Sequence, residues 1–256
     1  MFRSCKSLVN TNGSISGWQT SNVTNMNSMF DSAISFNQPL NWDTQNVTDM
    51  SYIFNRATSF NQDISGWNTA KVTNMTAMFL RATSFNQPLD NWNTSNVTIM
   101  EFMFDGATAF NKPLNSWNTA KVANMQAMFR GATSFNQPLN NWSTANVTTM
   151  NSMFDGATSF NQPVGSFRIN AIIYDMYLIL RGCGMDCENL SSTLDSWKTQ
   201  AAILNKNNIA LDDISGLYYN QTGQAAIAAL KARGWTITGG TYATDYLTPK
   251  SWFTTV

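Results

Sequence analysis

The chain is 256 residues long and 43% hydrophobic, with 15 Lys and Arg against 15 Asp and Glu, a net charge of zero and a pI near 6.2. That balance leaves no cationic footprint for nucleic acid or an anionic membrane. The absence of any histidine excludes Ser-His-Asp and Cys-His hydrolases and histidine-ligated zinc. The polar content is dominated by 32 asparagines, which favour corners and local backbone hydrogen bonds, while 14 Met, 16 Phe and 9 Trp supply ample core material.

In chain order, Met1-Phe2-Arg3-Ser4-Cys5-Lys6-Ser7-Leu8 aligns with the interior of the repeat that follows, so the chain is expected to open in mid-coil. These residues lack the charged region and apolar run of a signal peptide. A repeat then dominates. Tryptophan recurs at Trp18, Trp42, Trp67, Trp92, Trp117 and Trp142, with spacings of 24, 25, 25, 25 and 25, and Phe167 falls at the next position. Valine lies five residues after each tryptophan (Val23 to Val147) and methionine eight after (Met26 to Met150). A Met-Phe pair follows in five copies and Ile53-Phe54 in one. Each unit closes on an Ala-Thr-Ser-Phe-Asn-Gln-Pro-Leu-like segment that sets Phe36, Phe60, Phe85, Phe110, Phe135 and Phe160 in one column.

Eleven of the fourteen methionines occupy two of these columns, which marks them as core and not as a cofactor box. A 25-residue unit cannot bury its own apolar face, but stacked units share one continuous core. Trp, Val, Met, Phe, Ala and Leu are therefore the expected inward columns. Thr-x-x-Val-Thr-x-Met suits a short strand, and Met-x-x-Met-Phe a single helical or 3₁₀ turn. Pro39, Pro88, Pro113, Pro138 and Pro163 cannot donate to a ladder, so sheet pairing should break at that column. The asparagine column (Asn37, Asn61, Asn86, Asn111, Asn136, Asn161) reads as an inter-coil ladder in preference to an exposed recognition row, because corner backbone groups in a stack need partners. The expected architecture is a right-handed parallel β-solenoid with short strands and one-turn helices. Coils about 4.8 Å apart would build a rod roughly 35–40 Å long.

Residues 1–167 form the regular solenoid in this reading, and 168–202 a set of degenerate repeats with an insertion. The apolar run Ala171 to Leu180 is short and broken by Asp175, so it is no membrane span. Residues 203–242 are expected to be a small α/β cap, with a helix over 224–233, Gly234 as its C-cap and a strand over 235–238. The tail 243–256 carries Trp252 and Phe253 as candidate docking residues.

The unit Phe-Asn-Gln-Pro-Leu-x-x-Trp-x-Thr-x-x-Val-Thr-x-Met-x-x-Met-Phe resembles the repeat of BspA-like leucine-rich-repeat surface proteins, over about Met1 to Phe167 and more weakly to Trp197. The resemblance implies a leucine-rich-repeat-like solenoid, display outside the cell, and adhesion or partner recognition without shared catalytic or cofactor residues.

Candidate chemistry is sparse. Cys183-Gly-Met-Asp-Cys187 is either a local disulfide or a pair of thiols, and Cys5 falls in the small alanine column. Several Asn-x-Ser/Thr sequons occur in a composition where chance produces them. Threonine rows at Thr24, Thr48, Thr73, Thr98 and Thr148 admit an ice-binding reading, against the plainer one of strand propensity and turn hydrogen bonds. No calcium loop or phosphate cradle is present, and Asp212-Asp213 reads as a solvated turn. The two residues inside Met-x-x-Met vary from coil to coil on a fixed frame, which makes Tyr52 and Phe102 candidate partner contacts.

The expected function is thus non-catalytic: a solenoid at the cell surface or outside it, binding a protein or glycan, with no cofactor, no metal, no nucleic acid and no membrane insertion. The alternatives are a structural or decoration subunit of an extracellular or virion assembly, joined through the N-terminal end or the tail, and an ice-binding solenoid.

Overall fold

In the computed structural model, residues 15–172 and 176–243 are described. The 25-residue units stack directly on one another and share one core. From Met26 to Phe160, the Met, Phe, Ala and Leu columns, apart from half-buried Met29, and the tryptophans from Trp42 on are buried to 5% exposure or less. Trp18 departs from its column at 39% exposed and stacks on Trp42 at 6.2 Å.

Stacking of like on like makes three aromatic columns. Phe30, Phe54, Phe79, Phe104, Phe129 and Phe154 follow one another at 5.5–5.8 Å between ring centroids, with interplanar angles of 14° or less. Phe36 to Phe160 repeat at 5.9–6.1 Å. Within each coil the two rings lie nearly parallel, as in Phe54–Phe60 at 3.8 Å and Phe104–Phe110 at 4.1 Å. Each indole uses its one donor along the stack: Trp67 Nε1 donates to Leu40 O (3.0 Å), Trp117 to Leu89 O (2.9 Å) and Trp142 to Leu114 O (2.8 Å). A buried indole thereby keeps its hydrogen bond without interrupting the core.

The expected strands are reduced to single residues. Parallel bridges join Asn25, Asp49, Asn74, Ile99, Asn124 and Thr149 in sequence, one per coil. The reason lies in the next eight residues. In the coil of Trp67, the N–H groups of Met75, Ala77, Phe79 and Arg81 donate to Ile99, Glu101, Met103 and Asp105 of the following coil at 2.7–3.1 Å. Those of Met78, Leu80 and Ala82 donate three residues back within their own coil. This alternation gives a run of turns in place of an extended strand. It also places two columns in left-handed backbone: Ser28, Tyr52, Ala77, Phe102, Ala127, Ser152 and Leu178, at φ 51–57°, and Ser32, Arg56, Arg81, Gly106, Gly131, Gly156 and Gly182, at φ 56–70°. Each non-glycine residue there carries about 1 kcal/mol of strain.

Where proline interrupts the ladder, side chains take over. Asn37 Oδ1 accepts the N–H of Asn61 (2.9 Å), and the same bond repeats from Asn61 to Asn86, Asn86 to Asn111, Asn111 to Asn136 and Asn136 to Asn161. The adjacent glutamine amides of Gln62, Gln87, Gln137 and Gln162 donate to the same oxygens. The asparagine column is the ladder its residue type suggested. A buried threonine row runs beside it: Thr44, Thr69, Thr94 and Thr119 hydroxyls donate to carbonyls of the next coil at 2.9–3.1 Å.

The C-terminal third differs from expectation. Residues 168–172 and 176–186 continue the stack, and a 17-residue helix, α1 (Cys187–Ile203), stands where a degenerate repeat was expected up to 202. The asparagine column ends at Asp186, whose N–H donates to Asn161 Oδ1 (2.8 Å) while its carboxylate caps α1 by accepting from Asn189 N–H (2.8 Å). Side chains of α1 then serve the exposed end of the last 25-residue coil. Thr193 Oγ1 accepts from Val164 N–H, and Gln200 bonds Gly165 O, Phe167 O and Ile169 N–H. A Cβ on Gly165 would lie 2.5 Å from Ser196 Oγ, so the helix seats there only on glycine.

Residues 203–242, the expected cap, bond to the coil before them. Met176 N–H donates to Ala210 O (2.9 Å), as the earlier methionines do to the bridge residue of the following coil. Strand β1 (Ala210–Asp213) pairs in parallel with β3 (Thr236–Thr238), and β2 (Tyr218–Tyr219) with β4 (Thr241–Tyr242). Helix α2 (Gln221–Lys231) starts three residues before the expected 224, capped by Asn220. Trp252 and Phe253 lie outside the described residues.

Replacing Asn111 by alanine leaves the Asn136 N–H and the Gln137 amide without their shared acceptor. The expected loss is about 1–3 kcal/mol, read as a lower urea midpoint.

Candidate functional site

The turn run between the Met and Ala columns carries the most backbone bonds between layers, four per coil from Met26 to Gly131. Three of its positions vary from coil to coil, some of them exposed and some, such as Ser51, Thr76 and Asp105, buried. The first Met-x-x-Met position reads Asn27, Ser51, Thr76, Glu101, Gln126, Asn151; the second, Ser28, Tyr52, Ala77, Phe102, Ala127, Ser152. A third variable column follows: Asp31, Asn55, Leu80, Asp105, Arg130, Asp155, Arg181. Variable chemistry on a rigid frame is the physical requirement for a recognition face.

The structure places Tyr52 and Phe102 in one column two coils apart, with Ala77 between them. Tyr52 is 36% exposed; Phe102 is half-buried, with the Arg130 guanidinium 5.8 Å from its ring centroid. Arg130 also grips Asp105 with two bonds, Nη2–Oδ2 at 2.5 Å and Nε–Oδ1 at 3.1 Å, and Arg181 grips Asp155 in the same way at 2.6 and 2.8 Å. These carboxylate hydrogen bonds hold both guanidinium pKa values above the usual range. Sequence reasoning did not reach the arginines of this face. The signal that would have found them is the glycine column Gly106, Gly131 and Gly156, in which Arg56 and Arg81 hold the equivalent positions.

Cys183 and Cys187 are both buried thiols, not a disulfide. Cys183 continues the alanine column, facing the core, whereas Cys187 opens the buried side of α1. Burial pushes the Cys183 thiol from an ordinary 9.0 up to about 11. The threonine row proposed for ice is exposed through Thr98 and half-buried at Thr148; the hydroxyls of Thr48, Thr73, Thr98 and Thr148 donate to carbonyls of the preceding coil at 3.1–3.3 Å. Two shallow clefts are present. One of about 400 Å³ lies between the coils of Trp42 and Trp67, and one of about 320 Å³ at the end of α1 beside Arg168 and Gln200. Among the described residues no group of three His, Cys, Asp or Glu could hold a metal ion, and no helix is long and apolar enough to cross a membrane.

The model of a sequence family described as "Mycoplasma protein of unknown function, DUF285" matches residues 1–106 and again 86–197. No curated protein and no solved structure matches.

The raised Cys183 pKa sets a testable alkaline limit. The unfolded chain releases this proton near pH 9 and the folded chain near 11. Its contribution is therefore intact below pH 9 and is lost between 9 and 11, at about 1.4 kcal/mol per pH unit. Urea unfolding of Cys183→Ala should show a shallower fall in stability than the parent chain over that window.

Proposed function

The chain belongs to this DUF285 repeat family, and we propose that it is a non-catalytic recognition protein of the BspA-like leucine-rich-repeat kind. In this reading the stack is a right-handed solenoid displayed outside the cell, and the variable face contacts a protein or glycan surface. The observation that carries it is the gathering of bulky and charged side chains, Tyr52, Phe102, Arg130 and Arg181, at variable positions of the strip with most backbone bonds between layers. The bulky residues found there, tyrosine, phenylalanine and arginine, are those that dominate binding energy at interfaces.

The test uses substitutions the frame already hosts. Serine occupies the Tyr52 and Phe102 column at Ser28 and Ser152, so the Tyr52→Ser, Phe102→Ser pair should fold normally. Adhesion of the purified chain to cultured host cells and to immobilised matrix proteins should fall by about tenfold or more, with the thermal midpoint retained. A Lys112→Gln change in the Asn-Gln row should leave adhesion unaltered. Equal adhesion by the Tyr52→Ser, Phe102→Ser chain rejects the variable face as the contact surface.

A further inference from the structure

Four large side chains sit in left-handed backbone in three successive coils: Tyr52 (φ 56°), Arg56 (φ 56°), Arg81 (φ 56°) and Phe102 (φ 57°). Elsewhere the first of these columns holds Ser28, Ala77, Ala127, Ser152 and Leu178. The second holds Ser32 and then glycine from Gly106 onward. Glycine relieves the strain at that position, and later coils take it. The coils of Trp42 and Trp67 keep arginine instead.

These arginines do not serve the core, since both are exposed. Among the described residues neither makes an ion pair, whereas Arg130 and Arg181 each do. Carboxylates of the same face accept hydrogen bonds from other neighbours. Asp49 accepts from the Ser51 N–H and hydroxyl, Glu101 from the Asn124 amide (2.6 Å), and Asp105 from Arg130. Two guanidinium groups without an ion pair among the described residues therefore stand in adjacent coils, on the same turn run as Tyr52, Leu80 and Phe102. Strain kept at exposed positions without a packing return points to a role in contact.

We infer that Arg56 and Arg81, flanked by Tyr52 and Phe102, form a docking strip for an extended acidic peptide, with alternate carboxylates of the peptide on the two guanidinium groups. The inference rests on the recognition reading above and specifies its ligand. Spacing favours a peptide. In these two coils equivalent rings lie 5.7 and 5.9 Å apart, and an extended chain presents residues i and i+2 on one face about 6.7 Å apart. Flexible arginine side chains span that difference, and each fork accepts a carboxylate through two parallel bonds. The intervening apolar contacts fall to Tyr52, Leu80 and Phe102.

The probe is a fluorescent eight-residue peptide of alternating glutamate and leucine, titrated with the full chain and followed by anisotropy. A glutamine–leucine peptide serves as control. Saturable binding of the glutamate peptide alone is expected, weakening as salt is raised. In the Arg56→Gly, Arg81→Gly chain binding should weaken about tenfold or more, with a thermal midpoint equal to or above that of the parent. The Arg56→Gln, Arg81→Gln chain, which keeps side-chain bulk and drops the charge, should lose binding equally. No binding of the glutamate peptide, or undiminished binding by either variant, overturns the inference. So does stronger competition by polysialic acid than by the peptide at equal carboxylate concentration, which would make the ligand an acidic glycan. If adhesion is lost in Tyr52→Ser, Phe102→Ser but kept in both arginine variants, the recognition face stands and the acidic-peptide strip falls.

Discussion

The stack depends on one constraint: polar groups not bonded within their own coil find partners in the neighbouring layer. The backbone meets that constraint along the turn run, where alternate N–H groups reach the next layer. Proline removes the backbone donor at the opposite end of the unit, and there the asparagine carboxamide supplies the missing bond, its oxygen accepting from the next asparagine's N–H. Threonine hydroxyls and indole N–H groups complete the set. With the polar groups satisfied along the axis, the interior is left to Phe, Met, Trp, Val and Leu. The aromatic columns are a consequence of that arrangement, because identical residues in register can lie face to face.

The core was legible in the sequence because a column of identical residues has one physical explanation, a shared interior. The asparagine ladder was legible for a related reason: a stacked corner needs acceptors, and asparagine at a fixed position supplies one. The left-handed columns were not. Ser28, Tyr52, Ala77 and Phe102 share a backbone conformation but no side-chain property, and conformational strain leaves no mark on a residue alphabet unless glycine relieves it. Gly106, Gly131 and Gly156 do so, and Arg56 and Arg81 stand in the same column.

Helix α1 was hidden for a different reason. Its first turns carry Asn189, Ser191, Ser192 and Thr193, which are weak helix formers. Tertiary contact decides its conformation: Leu190, Leu194 and Trp197 are fully buried, and Thr193 and Gln200 serve backbone groups of the coil below. Alanine-rich α2 announced itself by propensity. The short strands were overestimated because β-branched residues suit any half-buried extended position, whereas the hydrogen-bond pattern allows only one bridge per layer. The candidate face was partly legible, through variation at Tyr52 and Phe102, while its charge arrangement required the coordinates.

The interchangeability of the coils carries a hazard for folding. Where every layer offers the same donors, acceptors and rings, a chain segment can dock one layer out of place with little local penalty, and such a slip would be slow to correct. Small irregularities then act as address labels. Arg130 finds its carboxylate at Asp105 and Arg181 at Asp155, whereas the same position one layer nearer the N-terminus holds Leu80 for Asp105 and Arg130 for Asp155. A mis-seated layer would set arginine against leucine or against arginine. The ion pairs of the variable face thus distinguish otherwise equivalent neighbours during assembly, whatever else that face touches.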